Sequence, residues 1–449
     1  MKDLTSGSIP GHIVRLALPM AAGMIFQTMY YLVDLYFVAR LGDAAVAGVS
    51  SAGNVQFIVM ALTQVLGVGT MALIAQAVGR KDQADANLIF NQSTLMAAVC
   101  GVVVLVGGML LAPVYMRAVG ADPATIREGT AYLRAYIPGL ALQFALVSMG
   151  SALRGTGIVK PTMLVQIVTV VMNIVLAPVL IAGWGTGHPL GTAGAGLASS
   201  IAILAGVVII ALYFARLEHY VGFSKALLTF HKSTARRIMA IGLPPGGEFA
   251  LMFTYTAIAY YVIRDFGSAA QAGYGIGSRV MQAIFMPAMA VSFSAAPLAG
   301  QNVGAGRMDR VRDTFKWAAI LGCVPMAVLT LVCQIAPALP IRAFTNEAAV
   351  VTIGAEFLQV VSWNFVATGL IFTCSGMFQA LGNTIPALVS SATRLLTYAV
   401  PALWLSTRPG LQLRHLWLLG VATVGFQAVL SVWMLLSVLA KTRVPRAAV

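Results

Sequence analysis

The sequence predicts an all-α integral membrane protein: twelve transmembrane helices in two homologous six-helix lobes, related by a pseudo-two-fold axis along the membrane normal. Three observations predict it. The first is composition, since 59% of the 449 residues are hydrophobic and only 9% are charged, too little polar surface to cover a water-soluble globule. The second is a series of apolar runs, each at or above the ~20 residues that a helix needs to cross the hydrocarbon core. The third is an internal repeat. An offset of 225 residues maps Leu18-Pro19 onto Leu243-Pro244, LGDAAVAG (41–48) onto FGSAAQAG (266–273), Gln76–Gly79 onto Gln301–Gly304, and the Gly157 to Pro161 step onto Gly382 to Pro386.

The runs of the first half lie at 13–38, 46–77, 88–112, 130–153, 161–183 and 193–215, and those of the second at 238–263, 271–298, 315–338, 354–379, 386–406 and 415–440. Six spans per half make the two halves face the same way, which sets the symmetry axis along the membrane normal. The expected organisation is an N-terminal lobe at 1–215, a cytoplasmic linker at 216–237, and a C-terminal lobe at 238–449 with a short basic tail. A polar, short N-terminus and a first run too long for a signal core predict that helix one is retained.

The net charge of +14 would suggest nucleic acid in a soluble protein, but its placement along the loops points to the membrane instead. With both termini in the cytoplasm, Lys2, Arg15, Arg80, Lys81, Arg154, Lys160, Arg216, Lys225, Lys232, Arg236, Arg237, Arg307, Arg310, Arg312, Lys316, Lys441, Arg443 and Arg446 fall inside. Only Arg40, Arg117, Arg127, Arg264, Arg342, Arg408 and Arg414 fall on the other side. The expected location is a multi-pass cell membrane, a bacterial inner membrane, and the expected state is a monomer that binds no nucleic acid.

Proline marks many spans. Pro161 and Pro386 fit helix starts, whereas Pro19, Pro138, Pro178, Pro244, Pro245, Pro287, Pro325 and Pro401 remove a backbone hydrogen bond and permit a bend. The run GTAGAGLASS (191–200) has small residues at four-residue spacing, which reads as close helix packing. Cys100, Cys323, Cys333 and Cys374 lie in apolar segments and read as small core hydrophobes.

Ionisable residues inside spans are few, and each is costly enough to be a functional candidate. From 13 to 38 the only charged side chains are Arg15 and Asp34; helical spacing puts Gln27, Tyr30, Tyr31 and Asp34 on one face. Asp34 maps onto Ala259 in the repeat, so the halves share the frame and not this carboxylate. Asn173 lies twelve residues after Pro161 and Asp34 fifteen after Pro19, which predicts similar depth and makes the two a proton-coupling site. In the second half Glu248 and Arg394 are expected to pair, since a pair loses less on leaving water than either charge alone.

No Gly-x-x-x-x-Gly-Lys-Ser/Thr phosphate loop, no Cys/His metal spacing and no cluster of acid, base and nucleophile occurs in the chain. ATP hydrolysis, a metal or other cofactor, and enzymatic catalysis are therefore not expected.

The early LP in helices one and seven, VDLYFVARLG around Asp34, the AQAVG and GQNVG helix ends, and RGTGIVKP followed by NIVLAPVLI resemble the multidrug and toxic compound extrusion (MATE) family over nearly the whole chain. The resemblance implies an ion-coupled antiporter with two lobes around a cavity that opens alternately to either side, exporting amphipathic, cationic drugs or toxic metabolites. It puts Asp34 in the place of the family's first-helix acid and Asn173 in that of the fifth-helix asparagine. Ala177 stands where many members carry a second acid, and Glu248 lies earlier on its helix than the sodium-coupled pattern expects. One carboxylate and one amide are a thin shell for sodium, which favours protons. On that reading, protonation releases Asp34 from polar partners and shifts the bend of helix one. The substrate cavity that the resemblance implies is expected to be lined by Met24, Gln27, Tyr30, Tyr31 and Met172 in one half and Phe249, Phe253 and Met281 in the other, Met and aromatic side chains suiting adaptable apolar recognition. At these spacings ordinary helix packing explains any one of them as well. A sodium-coupled antiporter, a flippase for lipid-linked sugars, and, from a different class, a channel or non-transporting receptor remain open on the sequence alone.

Overall fold

The computed structural model describes residues 1–120, 122–216, 218 and 220–441, and of Tyr31 and Leu35 it describes the backbone alone. His219, the basic tail residues Arg443 and Arg446, and the side chain of Tyr31 lie outside that description. The first half forms α1 (Ile9–Ala39), α2 (Asp43–Gly79), α3 (Gln83–Val119), α4 (Pro123–Gly155), α5 (Lys160–Ala182) and α6 (Gly191–Arg216). The second forms α7 (Lys232–Ile263), α8 (Ser268–Gly304), α9 (Met308–Ile335), a short α10 (Ala338–Arg342), α11 (Ala348–Val361), α12 (Asn364–Leu381), α13 (Ile385–Ser406) and α14 (Leu413–Lys441).

Among the described residues, ten of these helices are long and apolar enough to cross a membrane. Helices α7 and α13 have the length but not the hydropathy: α7 carries Pro244, Pro245, Glu248 and three tyrosines, and α13 carries Arg394. The run expected as one span at 354–379 is broken at Ser362-Trp363. The break is held by α9, whose Thr330 hydroxyl donates to the Ser362 carbonyl (2.9 Å) and whose Gln334 amide donates to the Gln359 carbonyl (2.6 Å) and the Ser362 hydroxyl (2.8 Å). Side chains thus replace the hydrogen bonds that an unbroken helix would supply.

The repeat is legible in the turns. Gly42, Lys81 and Gly157 take positive φ values of 102°, 59° and 79°, and their counterparts 225 residues on, Gly267, Gly306 and Gly382, take 91°, 70° and 71°. Lys81 therefore holds a left-handed conformation that its partner position gives to glycine. Pro161 and Pro386 occupy the first turns of α5 and α13, while Pro19, Pro138, Pro178, Pro244, Pro245, Pro287, Pro325 and Pro401 lie inside helices.

The chain divides into two compact units, one of 1–3 with 19–243 and one of 4–18 with 244–449. These limits differ from the expected 1–215 and 238–449, and each difference has a physical cause. Three amides on α3 grip the backbone of the segment expected as a cytoplasmic linker. Asn87 accepts from Gly222 N (2.8 Å), Asn91 accepts from Ser224 N (2.9 Å) and donates to Gly222 O (2.9 Å), and the fully buried Gln92 accepts from His231 N (2.8 Å) and donates to the carbonyls of Leu227 and Thr229, each at 2.7 Å. Arg237 of α7 then meets Asp85 of α3 (3.1 Å), and Gly242 packs directly on the Val65 carbonyl of α2, where a Cβ would overlap it. The foot of α7 is thereby built into the first unit.

The foot of α1 is held in the second unit by the matching place. Gln301 accepts from Leu4 N (2.9 Å), Asn302 donates to Leu4 O (3.3 Å), Arg307 to Thr5 O (2.7 Å) and Arg310 to Gly7 O (3.1 Å). The division of each shared helix falls at Leu18-Pro19 and Leu243-Pro244, the repeated LP pair.

The core of the first unit includes the stacked rings of Phe90 and Phe214 (4.7 Å). In the run GTAGAGLASS, Gly194 faces the backbone of α5 at Leu180 and Gly196 that of α4 at Tyr132, the close approach that small residues allow. The second unit has an aromatic core of Tyr274, Phe357, Tyr398 and Trp417. All four cysteines are free thiols, Cys333 and Cys374 fully buried.

Candidate functional site

In the first unit α1 and α5 run side by side in one register. Gly23 lies against Gln166, and Tyr30 meets Asn173 through a shared partner, the hydroxyl of Ser199 on α6. Tyr30 donates its phenol proton to Ser199 Oγ, and Asn173, fully buried, donates to the same oxygen at 3.4 Å. Both contacts are 143 residues apart in sequence, so on that register Asp34 is level with Ala177, one turn beyond Asn173. Counting from the prolines put Asp34 beside Asn173; helix register puts Tyr30 there instead.

Asp34 and Asn173 are not hydrogen-bonded to each other. Asp34 Oδ1 and Asn173 Oδ1 are both buried and have no hydrogen-bond partner among the described residues. Among the described residues Asp34 Oδ1 thus has no polar partner to be released from. What the arrangement offers is two unsatisfied acceptor oxygens in a low-dielectric interior, where an uncompensated acceptor is costly. Of the expected cavity residues in this unit, Met24, Gln27, Tyr30 and Met172 are half-buried.

Ser199 escaped the sequence reading, which assigned its run to packing alone. The available signal was a pair of hydroxyls, Ser199 and Ser200, in an otherwise apolar helix. Ser200 does the packing work, donating to the Ala135 carbonyl (2.7 Å), and Ser199 joins α1, α5 and α6.

The second unit keeps the same register. Gly247 packs against Leu388, the Ser391 hydroxyl donates to Glu248 Oε2 at 3.5 Å, and the rings of Tyr255 and Tyr398 lie 4.5 Å apart. The last two contacts again span 143 residues. The expected Glu248–Arg394 pair is not formed. Register sets Glu248 level with Ser391 and leaves Arg394 a turn further along, where its guanidinium lies over the Tyr255 ring at 4.6 Å, a cation–π contact. Glu248 Oε1 and Arg394 Nε are each buried without a hydrogen-bond partner. Gln427 of α14 donates to Ser391 (3.3 Å), extending the polar group to a third helix. Phe249 is half-buried and Phe253 exposed, whereas Met281 packs against Val280-containing and Phe365-containing parts of the core.

A twice-repeated helical membrane unit, with Asp34 in one repeat and Glu248 in the other on the body of its first helix, defines a polytopic transporter. The MatE family model matches residues 19–179 and 244–404, and the chain belongs to that family. Its relatives include the Probable multidrug resistance protein YoeA of Bacillus subtilis, 26% identical over 93% of this chain and 90% of that one. They also include the Multidrug export protein MepA of Staphylococcus aureus, 25% identical over 85% of this chain and 84% of that one. The fold matches a solved structure described as the outward-facing conformation of a multidrug resistance MATE family transporter of the MOP superfamily, with a TM-score of 0.91, 22% identity and 98% of both chains covered.

Proposed function

We propose that this protein is a proton-coupled antiporter that exports amphipathic, cationic drugs or toxic metabolites by alternating access. The observation that carries the proposal is Asp34: a carboxylate on the body of α1, within a membrane span, with a buried oxygen that no group among the described residues satisfies. A carboxylate there can neutralise a proton or a cationic cargo and not both at once, which makes the two compete for one charge. Helix α1 belongs to both units, because its first residues up to Leu18 lie in the second and its body from Pro19, which carries Asp34, lies in the first. The relatives named for multidrug resistance and multidrug export support the cargo class. Proton rather than sodium coupling is supported by the ionisable and amide groups the spans offer there, one carboxylate at Asp34 and one amide at Asn173, a thin shell for sodium.

Asp34→Asn tests the proposal, because asparagine keeps size and hydrogen-bonding capacity and cannot lose a proton. In vesicles with an imposed pH gradient and matched protein amount, efflux by the variant should collapse. Wild-type-like efflux by the variant, or wild-type transport driven by a sodium gradient with a protonophore present, refutes it.

A further inference from the structure

We infer that the end of the first unit where α3 runs into α4 binds an anionic phospholipid, with its phosphate between Arg117 and Arg134 and an acyl chain along α3. An open pocket of about 560 Å³ lies there, lined by Arg117, Arg127 and Arg134 together with Pro123, Ile126, Thr130 and Ala131. Arg127 and Arg134 are two turns apart on one face of α4, and Arg117 occupies the last turn of α3.

Two of the three charges, Arg117 and Arg134, have no ion pair among the described residues. Asp122 spends its carboxylate on the cap of α4, accepting from Thr125 N (2.9 Å) and Thr125 Oγ1 (2.8 Å). Glu128 is shared between Arg127 (3.4 Å) and the Thr192 hydroxyl (2.9 Å). Arg117 uses its Nε on the Pro113 carbonyl (3.1 Å). Helix α4 is 33 residues long, about 50 Å, against a hydrocarbon core of about 30 Å. Its first turns therefore stand at headgroup level, with Arg134 about 16 Å from the helix start. An exposed guanidinium at that depth is costly without a counter-charge, and a phosphate diester supplies one in bidentate geometry.

The lipid, not a free phosphate, is indicated by what lies below the cluster. Val99, Val103, Val106, Leu110 and Val114 form a stripe down α3, exposed by 53% to 72%, and Arg117 stands at its head. The stripe is about 22 Å long, deeper than the ~15 Å of one leaflet. Guanidinium groups above an exposed apolar stripe match the layout of a phosphate above an acyl chain.

The test uses full-length purified protein in mixed micelles, with bound lipid counted by native mass spectrometry. Wild-type protein should retain phosphatidylglycerol in preference to phosphatidylcholine. The Arg117→Gln, Arg134→Gln double variant should bind phosphatidylglycerol about 30-fold more weakly, with phosphatidylcholine binding unchanged, and the corresponding double lysine variant should keep most of the preference. Should the double glutamine variant not fold, Arg134→Gln alone should weaken phosphatidylglycerol about fivefold. Equal retention of the two lipids by wild type, or undiminished phosphatidylglycerol binding by the glutamine variants, overturns the inference. Displacement of the lipid by an equal concentration of glycerol phosphate also overturns it, since the site would then take a free anion.

Discussion

Replacing Gln92 by Met keeps the length of the side chain and removes its hydrogen bonds. Gln92 is fully buried and makes three bonds to the segment that leads into α7, to His231 N and to the carbonyls of Leu227 and Thr229. A net ~1 kcal/mol for each gives about 3 kcal/mol for docking of that segment. At 1.4 kcal/mol per factor of ten, exchange of the His231 amide through local opening should accelerate about 100-fold. The amides of Gly222 and Ser224 are held separately by Asn87 and Asn91 and should accelerate much less. Hydrogen–deuterium exchange across 220–231 reads all three. An unchanged His231 amide, or equal acceleration of the three amides, refutes the clamp as a set of separable side-chain contacts.

Two further outcomes follow from single positions. Gly242→Ala should lower thermal stability by about 1–3 kcal/mol, because the new methyl overlaps the Val65 carbonyl oxygen, whereas Gly222→Ala, with open space at its Cβ, should be neutral; equal melting temperatures for the two variants would contradict the close α2–α7 contact. In double-mutant cycles on stability, Glu248→Gln should couple to Ser391→Ala and be additive with Arg394→Gln within about 0.5 kcal/mol, since Glu248 touches Ser391 and Arg394 lies on Tyr255. Strong coupling of Glu248 to Arg394 would restore the ion pair.

The sequence by itself determined the membrane class, the repeat and the candidacy of Asp34. Each rests on properties that survive without coordinates: total apolar content, run length, a fixed offset, and the cost of a charge in lipid. Composition could also rank Glu248 and Arg394 as unusual. It could not pair them, because pairing depends on the register of α7 against α13, and a shift of one turn replaces an arginine by a serine. The same limit explains Asp34 and Asn173. Counting from helix starts ignores how far one helix slides along its neighbour, and side-chain packing at Gly23, Gly247 and the tyrosines sets that slide. The break at Ser362 was hidden because its cause lies on α9, in Thr330 and Gln334. The segment 216–237 read only as a cytoplasmic linker because it lies between the apolar runs of the two halves. Only the fold brought Asn87, Asn91 and Gln92 of α3 alongside its backbone, where side-chain amides, two of them fully buried, can satisfy peptide groups that no local structure would.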